Sequence, residues 1–263
     1  MSLTGKRGFM NEGFYRALMV YGLASLLLAS AACGLRETRA GKEGEDHMRA
    51  EQKVAQNVAA TAAATTPVAY VAFGDSTGVG VGARGGGYVA RLFERIERVR
   101  GGSSVKNFCV SGAETADVLR GQLTRLDGAR PTLITLGIGI NDVSHGVAPE
   151  QFARNYEEII TRLKSRTDAP IVVTNIPDIS TAPRVPVFLH DQVQARIRVF
   201  NERIAEIAGR HELFLVDAYD MSREVIPAHP EFFSADGFHP SDEGYEYWAK
   251  MMWPTVKEAI GEE

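Results

Sequence analysis

Five short apolar runs, separated by longer amphipathic stretches, organise the chain after Pro67. The runs at 68–73, 105–110, 132–137, 171–175 and 213–217 are rich in leucine and β-branched residues and lack polar alternation. That is the pattern of strands buried on both faces. The stretches at 88–99, 114–126, 149–166 and 187–209 repeat apolar residues at helical spacing. The last of them sets Val193, Ile197, Phe200, Ile204 and Ile207 on one side. A final helix is expected from about Ser241 to about Ile260, with Asp242 and Glu243 in its first turn, where the helix dipole favours acids. Strand and helix in alternation predict an α/β fold, a parallel sheet covered on both faces. No internal repeat is visible.

The N-terminal part follows a different logic. Lys6, Arg7 and Arg16 precede an apolar run from Ala17 to Ala32, which ends in small residues before Cys33. Positive, then apolar, then small is the layout of a secretory signal. The segment Ala29-Ser30-Ala31-Ala32-Cys33-Gly34 resembles a bacterial lipoprotein processing site with Cys33 as the lipidated residue, although Ser30 stands where that pattern prefers leucine. Residues 1–33 are therefore expected to be a lipoprotein-type signal peptide; an ordinary cleaved signal and an uncleaved anchor are the other readings. The protein is expected to be exported and held at the cell envelope, touching the membrane through this N-terminal anchor. Residues 34–66 are charged in their first half and Ala/Thr-rich in their second, with few large apolar residues to pack. They are expected to form a disordered linker with a reach of about 30 Å. The domain proper is expected over 67–263.

Composition narrows the function classes. With 44% apolar residues the chain can bury a core. Its 33 acidic and 29 basic residues are interspersed, for a net charge of −4. A nucleic-acid footprint would need a clustered basic face, so no nucleic-acid partner is expected. Two cysteines, Cys33 and Cys109, do not make a disulfide framework. Cys109 reads as a small buried apolar residue.

The candidate chemistry sits just past the strands. Ser76 follows the first run in Gly74-Asp75-Ser76, Gly112 follows the second, and Asn141-Asp142 follow the third. Asp236-Gly-Phe-His239-Pro240 lies between the fifth run and the last helix. In open parallel sheets, ligands bind beyond the carboxyl ends of the strands, so four segments deliver polar groups to one edge. Taken singly, each residue has an ordinary role: Ser76 as a helix cap, Gly112 in a turn, Asn141 in an Asx-turn, Asp236 in a tight turn, His239 at the start of a helix. Their convergence favours chemistry.

These four blocks resemble those of the SGNH hydrolase superfamily, the GDSL-type esterases and lipases, over about residues 68–260. Thr77 departs from the leucine or isoleucine common there. The resemblance implies a three-layer α/β/α sandwich with a five-stranded, flavodoxin-like parallel sheet, in agreement with the strand count above. It implies a catalytic triad of Ser76, Asp236 and His239, and an oxyanion hole from the N–H groups of Ser76 and Gly112 with the amide of Asn141. Chemistry gives the same roles: serine is a weak nucleophile until a base takes its proton. No metal or cofactor is required. The expected partner is a small-molecule, lipid or carbohydrate ester, met by a monomer.

Rival motifs fail on context. Gly74-Asp-Ser-Thr-Gly78 fits the nucleophile elbow of α/β-hydrolases, but that fold places several strands before its serine. Gly80-x-Gly82-x-x-Gly85 fits a dinucleotide fingerprint, but begins six residues past the strand. Ser103-x-x-Lys106 lacks the other β-lactamase elements. His145 and His229 read as loop residues, with a place in the wall of the cleft as the other reading for either. The leading function is a serine esterase acting on acyl esters, thioesters or lysophospholipids. Deacetylation or acetyl transfer on envelope sugars is the alternative, and a non-catalytic acyl-binding module is a third. The loops at 79–87, 176–186 and 221–235 should decide the substrate; Phe232 and Phe233 either line an acyl pocket or pack the last loop down.

Overall fold

The computed structural model describes residues 66–262 and, ahead of them, Met48, Arg49, Gln52 and Lys53, which are helical and exposed within the stretch expected to be disordered. The expected signal peptide, Cys33 and most of the expected linker lie outside the described residues. The chain divides into two units, Met1–Val54 and Ala55–Glu263, and every strand among the described residues belongs to the second.

Strands β1 (Ala69–Gly74), β2 (Ser104–Asn107), β3 (Leu133–Gly137), β4 (Ile171–Thr174) and β5 (Phe214–Val216) form one parallel sheet in the order β2-β1-β3-β4-β5. Helices lie on both faces. Along β1 the side chains alternate: Tyr70 and Ala72 join the core made with Leu92 and Ile96 of α2 (Tyr88–Val99) and with Tyr245 and Met252 of α7 (Asp242–Ala259). Val71 and Phe73 join the opposite core, made with Phe152 and Ile159 of α4 (Pro149–Lys164) and with Ile197 and Phe200 of α5 (His190–Arg210). Between these come two short helices, α1 (Ser76–Val79) and α3 (Ile140–Ser144), and the two-turn α6 (Ala218–Val225).

This topology places the site. Crossing from β2 to β3 carries the chain over β1, so the strand order reverses between β1 and β3. Such a reversal leaves a crevice at the carboxyl ends of the two strands. Gly74 and Gly137, the last residues of β1 and β3, are register partners. The segments that carry Ser76 and Asn141 therefore leave the sheet side by side.

Three expectations need correction. The second run is not buried on both faces: β2 is an edge strand, stops at Asn107 and is mostly exposed, and only Phe108 and Cys109 beyond it turn inward. The helix expected over 114–126 is broken into one α-turn (Thr115–Asp117), a π-turn (Val118–Gln122) and a 3-10 turn (Leu123–Leu126). The stretch 221–235 is not all loop, since α6 runs through Val225 and two 3-10 turns follow, Ile226–Ala228 and Pro230–Phe232.

Candidate active site

Ser76 owes its position to its neighbours. β1 ends at Gly74, and Asp75 caps α1, accepting the N–H of Thr77 at 2.9 Å and its hydroxyl at 2.8 Å on one oxygen. Ser76 is thus the first helical residue and not the cap that its bland reading supposed. Thr77, the departure from the family pattern, takes part in holding Asp75. Burial pushes the Asp75 carboxyl up to about 6, against the pull of the two Thr77 bonds.

The side-chain amide of Gln122 secures the strand end from below. It is buried, accepts the Gly74 N–H at 2.9 Å and donates to the Gly74 carbonyl at 2.7 Å. Sequence reading missed this residue because a lone glutamine on an amphipathic helix reads as solvent-facing. The π-turn, which places one extra residue in the helical turn, is what accompanies its inward position.

His239 closes the arrangement from 163 residues away, with Nε2 3.0 Å from Ser76 Oγ. Its Nδ1 lies 2.6 Å from Asp236 Oδ2. The other Asp236 oxygen accepts three more bonds: the N–H of His239 at 2.9 Å, the N–H of Phe238 at 2.8 Å and the Ser234 hydroxyl at 2.9 Å. Partial burial works to raise the Asp236 pKa, but these bonds outweigh it and hold the carboxyl well below its usual range. The loop is pinned in turn by Ser234 N–H on the His239 carbonyl (2.8 Å) and by Arg184 N–H on the Gly237 carbonyl (3.0 Å). All three expected triad residues are brought together.

The other two expected residues are joined to each other's loops. Gly112 adopts φ +78°, which a side chain would strain, and an added Cβ would meet no atom within 4 Å. Asn141 sits in the first turn of α3 and donates one amide hydrogen to the Ala113 carbonyl at 2.9 Å, leaving the second for another acceptor. Asp142, which is buried, accepts Thr115 N–H at 3.0 Å and the Thr115 hydroxyl at 2.6 Å. So Asn141 and Asp142 together fasten the Gly112 segment to the end of β3. Burial raises the Asp142 pKa despite those bonds.

The remaining candidates fall outside. His145 pairs with Glu114 at 2.8 Å, and His229 pairs with Glu231 at 2.7 Å and stacks on Phe232. The glycines of the supposed dinucleotide motif have another use: a Cβ on Gly82 (φ +96°) would strike the Pro240 carbonyl at 2.7 Å, so this loop packs against the histidine loop. Cys109 is buried and unbonded to another cysteine, and burial pushes its thiol above its usual range.

A pocket opens beside Ser76 and His239, lined by the ends of β3 and β4, by α6, by α7 and by Phe232, Phe233 and Phe238. Both phenylalanines of the 221–235 segment therefore face it. A serine held on an imidazole that is itself held by a carboxylate can lose its proton to the ring while attacking a carbonyl carbon. That is the arrangement of a serine hydrolase.

The chain belongs to the GDSL-like lipase/acylhydrolase family, whose model matches residues 72–247. It is 28% identical over 203 residues to a GDSL-like esterase of Mycobacterium tuberculosis, covering 72% of this chain and 62% of that protein. The match thus spans less than two thirds of that relative's length. Among solved structures, a lipase/acylhydrolase from Enterococcus faecalis is 25% identical with a TM-score of 0.56, covering 72% of this chain and 95% of its own. Axe2, an acetylxylan esterase from Geobacillus stearothermophilus, has a TM-score of 0.58 at 18% identity, covering 76% of this chain and 97% of its own, and shares the fold.

Proposed function

We propose that the protein hydrolyses carboxylic esters through an acyl-enzyme on Ser76. The observation that carries this reading is the line from Ser76 to His239 to Asp236, 3.0 and 2.6 Å long, at the mouth of a pocket. Ser76 Oγ adds to the ester carbonyl carbon while His239 Nε2 takes its proton. Asp236 keeps the ring in the tautomer whose Nε2 is free and steadies the imidazolium that forms. The N–H groups of Ser76 and Gly112 and the second amide hydrogen of Asn141 meet the charge on the acyl oxygen. Collapse breaks the bond to the alcohol, which leaves with the proton from His239. Water then gives a proton to the same nitrogen and attacks the acyl carbon, and Ser76 departs with that proton. These steps balance without a metal or redox group. Each chain carries the whole set, so a monomer suffices.

Deacetylation or acetyl transfer on envelope sugars would use the same groups, and is the outcome if only acetyl esters react. A binding module needs no such aligned triad. The test is hydrolysis of p-nitrophenyl butanoate by the purified protein. Ser76→Ala should lower kcat by about 10³-fold or more; a Ser76→Ala protein with wild-type activity would refute the reading.

We further propose that the protein is exported and tethered through a lipid on Cys33. This rests on the order of charged, apolar and small residues ahead of that cysteine.

A further inference from the structure

The pocket beside Ser76 differs from a sugar site in what its walls can offer. Among its lining residues there is no lysine, arginine or glutamate, and its one aspartate and one histidine, Asp75 and His239, belong to the catalytic end. Several polar side chains at its edge are already engaged. Ser222 donates to the Tyr219 carbonyl and accepts the Asp178 N–H, Asn175 bonds Asp217 and the Tyr219 N–H, and Thr77 bonds Asp75. Three groups remain: the indole N–H of Trp248, buried with no partner among the described residues, and the hydroxyls of Thr174 and Tyr247. These few scattered groups cannot pair all the hydroxyls of a sugar ring, and each hydroxyl buried without a partner is costly.

Shape adds a length. Gly244, Tyr247, Trp248 and Met251 line the pocket at spacings of three and four residues, so they form one face of α7. Gly244 stands at the catalytic end, since a Cβ there would touch the Pro240 ring next to His239. Met251 is two turns further on, about 10 Å along the helix at 1.5 Å per residue. Met221, Ile226 and Phe233 line the same pocket. Two methionines and a set of rings give an adaptable apolar trough.

We propose that this trough seats the acyl chain of the ester, with room for about eight carbons along the α7 face from Gly244 to Met251, each carbon of an extended chain advancing about 1.3 Å. The proposal rests on the esterase reading above and names its substrate class: a medium-chain acyl ester whose alcohol stays outside the trough. Each methylene that enters should raise kcat/KM by about two- to fourfold, and carbons past the trough should add nothing or reduce it.

The experiment is a series of p-nitrophenyl esters with two to sixteen acyl carbons, run on the purified protein, on Ser76→Ala and on two Met251 variants. The expected profile climbs from acetyl to about octanoyl and then falls. Met251→Trp should move the optimum to shorter chains and Met251→Ala to longer ones, with melting curves to confirm that each variant is folded. If Met251→Trp does not fold, the Met251→Ala shift still decides. A Ser76-dependent activity that is flat with chain length, or an optimum that neither Met251 variant moves, overturns the trough and leaves the esterase reading intact. No Ser76-dependent hydrolysis of any ester in the series would overturn that reading itself.

Discussion

Gln122 and Gly74 are bonded twice: the glutamine amide accepts the Gly74 N–H at 2.9 Å and donates to its carbonyl at 2.7 Å, two residues before Ser76. The Gly74 carbonyl also takes the Val110 N–H at 3.1 Å, so only its N–H depends wholly on Gln122. Gln122→Ala leaves that buried donor unpaired, at a cost of about 1–3 kcal/mol. For a domain of this size that is a fall in Tm of about 3–10 °C. Because the bond fixes the strand from which Ser76 emerges, kcat should fall as well while KM changes little. Thermal melts and steady-state kinetics on one preparation check both; unchanged kcat in a destabilised protein would reduce Gln122 to a structural brace.

Asn141 has two jobs that can be measured apart. Its bond to the Ala113 carbonyl is an ordinary hydrogen bond worth about 0.5–1.5 kcal/mol, whereas in the proposed mechanism its second hydrogen faces charge only in the transition state. Asn141→Ala should therefore cost modest stability and lower kcat by about 10²–10³-fold with little change in KM. A protein that loses stability and keeps kcat would confine Asn141 to fastening the Gly112 loop.

Much of this was legible before any coordinates. The existence of five strands and helix α2 to the residue follow from apolar periodicity, and the meeting of Ser76, His239 and Asp236 was expected from residues placed past strand ends and from the resemblance of their blocks to the SGNH hydrolases. What stayed hidden has physical reasons. Helix α6 buries only Ala218, Tyr219 and Ser222, too few and too small to print a helical stripe. The β2 run looked interior because Val105, Phe108, Cys109 and Val110 are apolar, yet the pairing ends before three of them. Gln122, and the bracing role of Asp142, escaped notice since burial of a polar side chain is decided by its partners, Gly74 and Thr115, which are remote in sequence.

Two carboxyls near Ser76 should respond oppositely to pH. The folded-state pKa of Asp75 is raised by burial from 3.8 to about 6, so the folded protein binds the proton more tightly than the unfolded chain. Its contribution to stability is therefore lost as pH rises from about 4 to about 6. Asp236 is depressed, so its contribution is present above the ordinary carboxylate range and is lost as pH falls through its lowered folded value. Asp75→Asn, which can still accept the Thr77 N–H, should flatten the decline in Tm between pH 4 and pH 7 attributable to this group. Melting curves across that range for the two proteins check the sign; a variant whose pH slope matches wild type would show that Asp75 does not titrate there.

Lipidation can be tested without reference to catalysis. Labelled palmitate should enter the full-length protein expressed in a bacterial host and be lost in Cys33→Ser, while esterase activity per folded molecule persists. Export of a soluble, unlipidated form of the wild-type protein would contradict the tether.

The central claim is that Ser76 is the atom acylated, with its proton taken by His239. Intact-mass measurement and peptide mapping after reaction with a fluorophosphonate ester read this directly. A single adduct on Ser76 is expected, absent in Ser76→Ala and formed at least about 10²-fold more slowly in His239→Ala. An adduct on another residue, or labelling of Ser76 at an undiminished rate without His239, would contradict the account.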